Sequence, residues 1–152
     1  MPMDAKRYLQ QIQKIDKMIE NKIAEARRWK AIATSTTTFA DGDRVQSSSG
    51  KDKMADAVCR YISMDMEVTA DIDNLISLKQ EVIKLIEQLP TVEYDVLHKI
   101  YVQYLEIYEV ADILGKSYSW VTTIHGRALT NVQRLLDAKV GAEELNRRKS
   151  ND

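Results

Sequence analysis

Residues 107–127, IYEVADILGKSYSWVTTIHGR, constrain the fold of this chain more than any other stretch. Val110 and Leu114 fall on one face of a first short helix, and Val121 and Ile124 on the inner face of a second. Ala111 is small where two helices must approach closely, and Gly115 stands four residues later, where the chain has to turn. Lys116 and Ser117 make the connection, with Ser117 placed to cap a helix that begins at Tyr118 or Ser119. This is the spacing of a helix-turn-helix. Such a pair aims the N-terminal part of its second helix at the major groove of duplex DNA. The candidate DNA-contacting residues are therefore Lys116, Ser117, Tyr118, Ser119, Trp120, Thr122, Thr123, His125 and Arg127. Two helices around any glycine turn can imitate this spacing, so the flanking sequence has to support it.

It does so on both sides. A preceding apolar helix over 92–103 offers Val96, Leu97, Ile100 and Tyr101, with Tyr104 just beyond, to pack under the pair. The second helix continues an inner stripe through Ala128, Leu129, Val132, Leu135 and Leu136. Three helices with one shared core make a tri-helical domain over 91–137, followed by a charged tail at 138–152.

The first part of the chain reads differently. Residues 4–33 form one long helix that Asp4 can cap, with Tyr8, Ile12, Ile15, Ile19, Ala26, Trp29 and Ala33 spaced by about a helical turn and Ile23 and Ile32 widening the stripe. Hydroxyl residues, Asp41-Gly42 and a serine run then interrupt the pattern over 34–51, which reads as a long connection. The fragment SSSGKDK is not a phosphate loop, because it lacks the first glycine, the hydroxyl after lysine and a preceding strand. A second helix over 52–89 carries Met54, Val58, Tyr61, Ile62, Val68, Ile72, Leu75, Ile76, Val82, Ile83, Ile86 and Leu89 at near-heptad spacing, and Pro90 ends it. Two long amphipathic helices joined by a loop fold back as an antiparallel hairpin. Two helices cannot hide such wide stripes from each other, so 1–89 is expected to self-associate as a dimer or higher homo-oligomer. The fold class is all-α: a long-helix hairpin followed by a tri-helical helix-turn-helix domain.

Charge refines the functional reading. The net charge of −1 removes the simple electrostatic case for a nucleic-acid binder. Its distribution is uneven: eight Lys and Arg against four acids in 1–34, and ten acids against six bases in 35–90. Residues 91–136 are slightly acidic, so that domain alone should bind phosphate weakly. Cys59 is the single cysteine, which excludes an intrachain disulfide, and its apolar surroundings suggest a small buried thiol. No apolar run resembles a signal peptide or spans a bilayer, so a cytoplasmic protein without membrane contact is expected. His98 and His125 lie far apart with no partners at ligand spacing, and Asp65, Glu67, Asp71 and Asp73 read as a solvated helix face. No catalytic residue, metal or cofactor is expected.

Residues 91–136 resemble the last DNA-binding region of bacterial sigma factors. The likeness rests on the Leu97 and Tyr101 helix, the Glu109-Val110-Ala111 opening, Leu114-Gly115 before the Ser117 turn, Val121, Ile124 and the Ala128-Leu129 pair. The hairpin, the TST loop, VQSSSGKDKMADAV and IHGRAL resemble a family of small phage and prophage proteins of Gram-positive bacteria, akin to the ArpU/RinA-type regulators of late phage transcription. That resemblance covers nearly the whole chain. It implies a regulator of late genes, an activator in the cytoplasm of the bacterial host, with double-stranded DNA and host RNA polymerase as partners. Sigma factors place Arg, Glu and Gln at the exposed positions of the reading helix. Here Tyr118, Trp120, Thr122, Thr123 and His125 stand there, so the target sequence does not carry over; Trp120 can instead pack on the preceding helix and Tyr118 at the turn, whereas Arg127 matches a basic position that can reach phosphate. Two rival functions fit the same residues: the small, DNA-recognising subunit of a phage packaging terminase, and a protein-interaction module that binds no DNA.

Overall fold

A computed structural model describes residues 3–35 and 48–151. Asp41-Gly42 and most of the 34–51 connection lie outside the described residues. Every regular element among those described is helical: α1 (Ala5–Ser35), α2 (Ser48–Ile86), α3 (Thr91–Leu97), which runs on as one π-helical turn over His98–Val102, α4 (Ile107–Leu114) and α5 (Tyr118–Ser150). The chain divides into two compact units, one of residues 1–14 with 77–152 and the other of residues 15–76. No helix among the described residues is long and apolar enough to cross a membrane.

The long helices follow a strict alternation of three- and four-residue steps. On α1 the inner positions are Ala5, Tyr8, Ile12, Ile15, Ile19, Lys22, Ala26, Trp29 and Ala33, all buried or half-buried. On α2 they are Ala57, Tyr61, Met64, Val68, Asp71, Leu75, Leu78, Val82, Leu85 and Leu89, the last just past the helix end. Such 3.5-residue periodicity keeps one seam turned toward a partner helix over many turns. The Asp4 carbonyl takes the Tyr8 amide at 2.9 Å, which puts Asp4 at the cap where the sequence placed it.

Within residues 15–76 the two helices meet in antiparallel order. Lys22 donates to Asp71 at 2.5 Å and lies 3.8 Å from Glu67, while the Arg60 guanidinium sits 5.0 Å from the Trp29 ring. Lys22 and Asp71 both occupy seam positions, and their hydrogen bond holds the lysine above its ordinary pKa. A partly exposed polar pair at seam positions favours this register, because a slipped alignment would separate the two charges. Lys22→Asp alone should therefore lower the melting temperature, and adding Asp71→Lys should restore most of the loss. Circular dichroism of the two variants checks this.

Three expectations change here. Val58, Ile62, Ile72 and Ile76 do not share the face of Val68 and Leu75; with Met66 they form a second, exposed stripe on α2. Cys59 is exposed rather than buried, since it lies two residues, about 200°, from buried Ala57. Asp71 and Glu67 face Lys22, so they are not part of a free acidic surface, whereas Asp65 and Asp73 are exposed.

In the unit of residues 1–14 and 77–152, Leu9, Ile12, Val82, Ile86, Val96, Leu97, Val110, Val121 and Val132 are almost wholly buried. α2 ends at Ile86, three residues earlier than expected, in a tightened turn with Leu89 N donating to Ile86 O at 3.0 Å. The following helix also departs from expectation. It widens into the π turn, where Gln103 N reaches His98 O at 3.0 Å, and Tyr104 then takes a left-handed φ of 60°. α5 continues unbroken to Ser150, with residues 137–150 all exposed.

Gly115 ends α4 at a φ of 64°, and an added Cβ there would meet nothing within 4 Å. Its requirement is backbone conformation alone. Gly115→Ala should cost about 1–2 kcal/mol, whereas Gly126→Ala, on an open helical face, should gain about 0.5–1 kcal/mol. Opposite shifts in melting temperature test the pair.

Candidate nucleic-acid interface

The turn between α4 and α5 is built from local chemistry. Glu106 caps α4 in a reciprocal box, its own amide donating to the Glu109 side chain at 2.8 Å. At the other end, left-handed Gly115 lets the Lys116 amide return to Ala111 O at 3.0 Å. Ser117 then caps α5, its Oγ accepting from the Trp120 amide at 3.0 Å. Three residues thus separate two helices that close on one core of Val96, Val110, Ala111, Val121 and Ile124.

With that core fixed, the rest of α5 sorts by angle. Ala128 and Val132 extend the buried side. Ser119, Thr123, Gly126 and Thr130 point away from it and are exposed, with Thr122 at one edge and Arg127 at the other, both exposed. This outer face is small and uncharged at its centre. Thr122 donates its hydroxyl to Tyr118 O and Thr123 to Ser119 O, each at 2.9 Å, and Thr130 to Gly126 O at 3.1 Å. The threonines therefore offer acceptor lone pairs and methyl groups outward, not donors. Tyr118 is exposed at the first position of α5, and Lys116 is exposed beside it with its ammonium 5.3 Å from the Trp120 ring.

His125, expected to point outward, turns inward, and Trp120 takes the packed one of its two open positions. Trp120 is half-buried against the shared core. His125 is half-buried and shares a 2.7 Å hydrogen bond between its Nε2 and the Tyr101 hydroxyl, the rings stacked at 5.7 Å. They brace the helix instead of standing on its outer face. Of the nine candidates, Lys116, Ser117, Tyr118, Ser119, Thr122, Thr123 and Arg127 remain exposed.

Contacts distant in sequence hold α5 in place. Asn131 donates to Glu93 at 2.8 Å, tying the start of α3 to α5 and satisfying a buried carboxylate. The Ala5 amide, at the start of α1, donates to Gln133 Oε1 at 2.8 Å. Neither partnership leaves a trace in local sequence spacing. Among the described residues no group of three or more His, Cys, Asp and Glu side chains is arranged to hold a metal ion.

Burial, with the nearby Asp4 carboxylate, pushes the Tyr101 hydroxyl up to about 12, so it stays protonated at neutral pH. His125 is lowered by burial first and by Lys6 second; His98 is lowered by burial first, then by Lys99. The folded chain thus resists protons that the unfolded chain accepts near the ordinary value of 6.5. Above that pH the histidines leave stability intact, and below it stability falls until the folded values are passed. The melting temperature should decline from pH 7 to pH 5, and His125→Gln should flatten part of that decline. An unchanged slope in His125→Gln would refute the contribution of this histidine.

The chain matches no protein-family model, no curated protein and no solved structure.

Proposed function

We propose that this protein is a DNA-binding transcriptional regulator of a phage or prophage, an activator of late genes that acts at a promoter together with host RNA polymerase in the bacterial cytoplasm. Its architecture in this reading is a long-helix antiparallel hairpin that carries a sigma-like helix-turn-helix domain. The observation that supports it best is the outer face of α5: a capped helix follows a three-residue turn, is braced from behind, and leaves Ser119, Thr122, Thr123 and Arg127 uncovered. Hydroxyl acceptors and methyl groups on that face suit base amines and thymine methyls of the major groove, and Arg127 suits phosphate. The exposed α2 stripe of Val58, Ile62, Met66, Ile72 and Ile76 supports a second copy as partner, which would double the phosphate contacts of a weakly charged reading domain.

The test has two stages. Purified full-length protein is incubated with fragments of a phage genome and the retained fragments are sequenced. The recovered site is then placed upstream of its own promoter and transcribed in vitro by host polymerase. Enrichment of one or a few sites with increased transcript supports the proposal. Enrichment without any effect on transcription, accompanied by stimulation of a terminase, would move the protein to DNA packaging. No retention of DNA at low salt would leave a protein-interaction module.

A further inference from the structure

The reading face of α5 is neutral at its centre, so the cations that hold it on DNA must come from its edges. One edge is occupied by a part of the chain far away in sequence. The start of α1 meets α5 at Gln133, through the 2.8 Å bond from the Ala5 amide to Gln133 Oε1 and a 3.4 Å bond from Gln133 Nε2 to Met3 O. Gln133 and His125 lie on the same side of α5, the side of Thr122. Lys6, the next residue of α1 after the Ala5 contact, is exposed, and its charge lowers the His125 pKa. On the opposite edge stands Arg127, also exposed, two residues and about 200° around the helix from His125. The buried side chains Ala5, Tyr8, Leu9 and Ile12 fix the inner face of α1, which leaves Lys6 on its flank.

We infer that Lys6 and Arg127 form a phosphate clamp, one cation on each side of the Ser119–Thr123–Gly126 face, reaching the backbones that border a single major groove. The inference rests on the proposed reading that α5 enters duplex DNA. It adds that the N-terminal turn of α1 belongs to the binding surface, so a helix otherwise concerned with the hairpin also positions the protein on its target. Residues 91–136 are slightly acidic on their own, and a lysine brought in from α1 offsets that charge where the phosphates come nearest.

The experiment measures the salt dependence of binding to a 30-base-pair duplex of random sequence, using the full chain. Each lost phosphate contact should reduce the slope of log K against log salt by about 0.9. Lys6→Gln and Arg127→Gln should each lower it by that amount and the double variant by about twice as much. Lys17→Gln, exposed and paired with Glu20, serves as the control and should leave the slope unchanged. In the absence of DNA, Lys6→Gln should also raise the titration midpoint of His125 followed by NMR, which shows that Lys6 lies beside α5. A wild-type slope in Lys6→Gln alongside a reduced slope in Arg127→Gln would overturn the clamp and leave the DNA-binding reading standing. An unmoved His125 titration would overturn it as well. Absence of wild-type binding would remove the reading and the clamp together.

Discussion

Thr123→Glu is expected to weaken duplex binding by about 100-fold, roughly 3 kcal/mol, while the protein keeps its helical content and melting temperature. Thr123 stands at the centre of the outer face of α5, flanked by Ser119, Gly126 and Thr130, and it is exposed. Its hydroxyl returns to Ser119 O, so it holds no other element in place. Glutamate is the better helix former of the two, and a surface exchange of this kind changes stability by about 0.5 kcal/mol or less. The effect on DNA is different in kind. With α5 docked as proposed, a carboxylate at this position would stand among phosphates and face base edges that already carry acceptors, and such like-charge juxtaposition costs several kcal/mol. Fluorescence anisotropy gives the affinity and circular dichroism the fold. Wild-type affinity in this variant would mean that another surface binds DNA, or that none does.

How much of this was readable in advance depends on the range over which each feature is determined. The turn was legible, because Gly115 and Ser117 act through their own backbone and the next three residues. The inner faces of α1 and α2 were legible as period, since Ile12, Ile19, Val68, Leu75 and Val82 repeat on their own helices. Period did not separate the two faces of α2, however. Apolar residues on both gave one wide stripe, and only the position of a neighbouring helix decides which of them is covered. The inward position of His125, and the choice between the two positions open to Trp120, escape the sequence for the same reason: the outward angle of a side chain is local, but its burial depends on what stands beside it. For His125 that neighbour is Tyr101, 24 residues away. The Lys22 and Asp71 pair spans 49 residues and has no local signature. Tyr104 in a left-handed conformation was not legible either, since a bulky aromatic is a poor candidate for positive φ and gives no warning of the turn it makes.

The exposed stripe of α2 leads to the second large effect. Under the proposed pairing with a second copy, Ile72→Asp with Ile76→Asp should give a folded monomer at micromolar concentration where the wild-type chain sediments as a dimer. Val58, Ile62, Met66, Ile72 and Ile76 lie within less than half a turn of one another around the helix and extend roughly 27 Å along it. None belongs to the seam that meets α1, and Ile62, Met66 and Ile76 are 52%, 69% and 50% exposed. A continuous apolar band of this length on a helix already packed on another side marks an interaction surface. Two copies related by a two-fold axis can satisfy it with the same residues on each side. Because Ile72 and Ile76 are exposed within one chain, aspartate there creates no buried charge in the monomer, and circular dichroism should stay helical. In the dimer the same change sets four carboxylates into one apolar contact, where desolvation and repulsion both oppose association. Sedimentation should therefore show the mass halved in the variant. A wild-type chain that sediments as a monomer would reject the interface outright, and a variant that stays dimeric would place the contact elsewhere on the molecule.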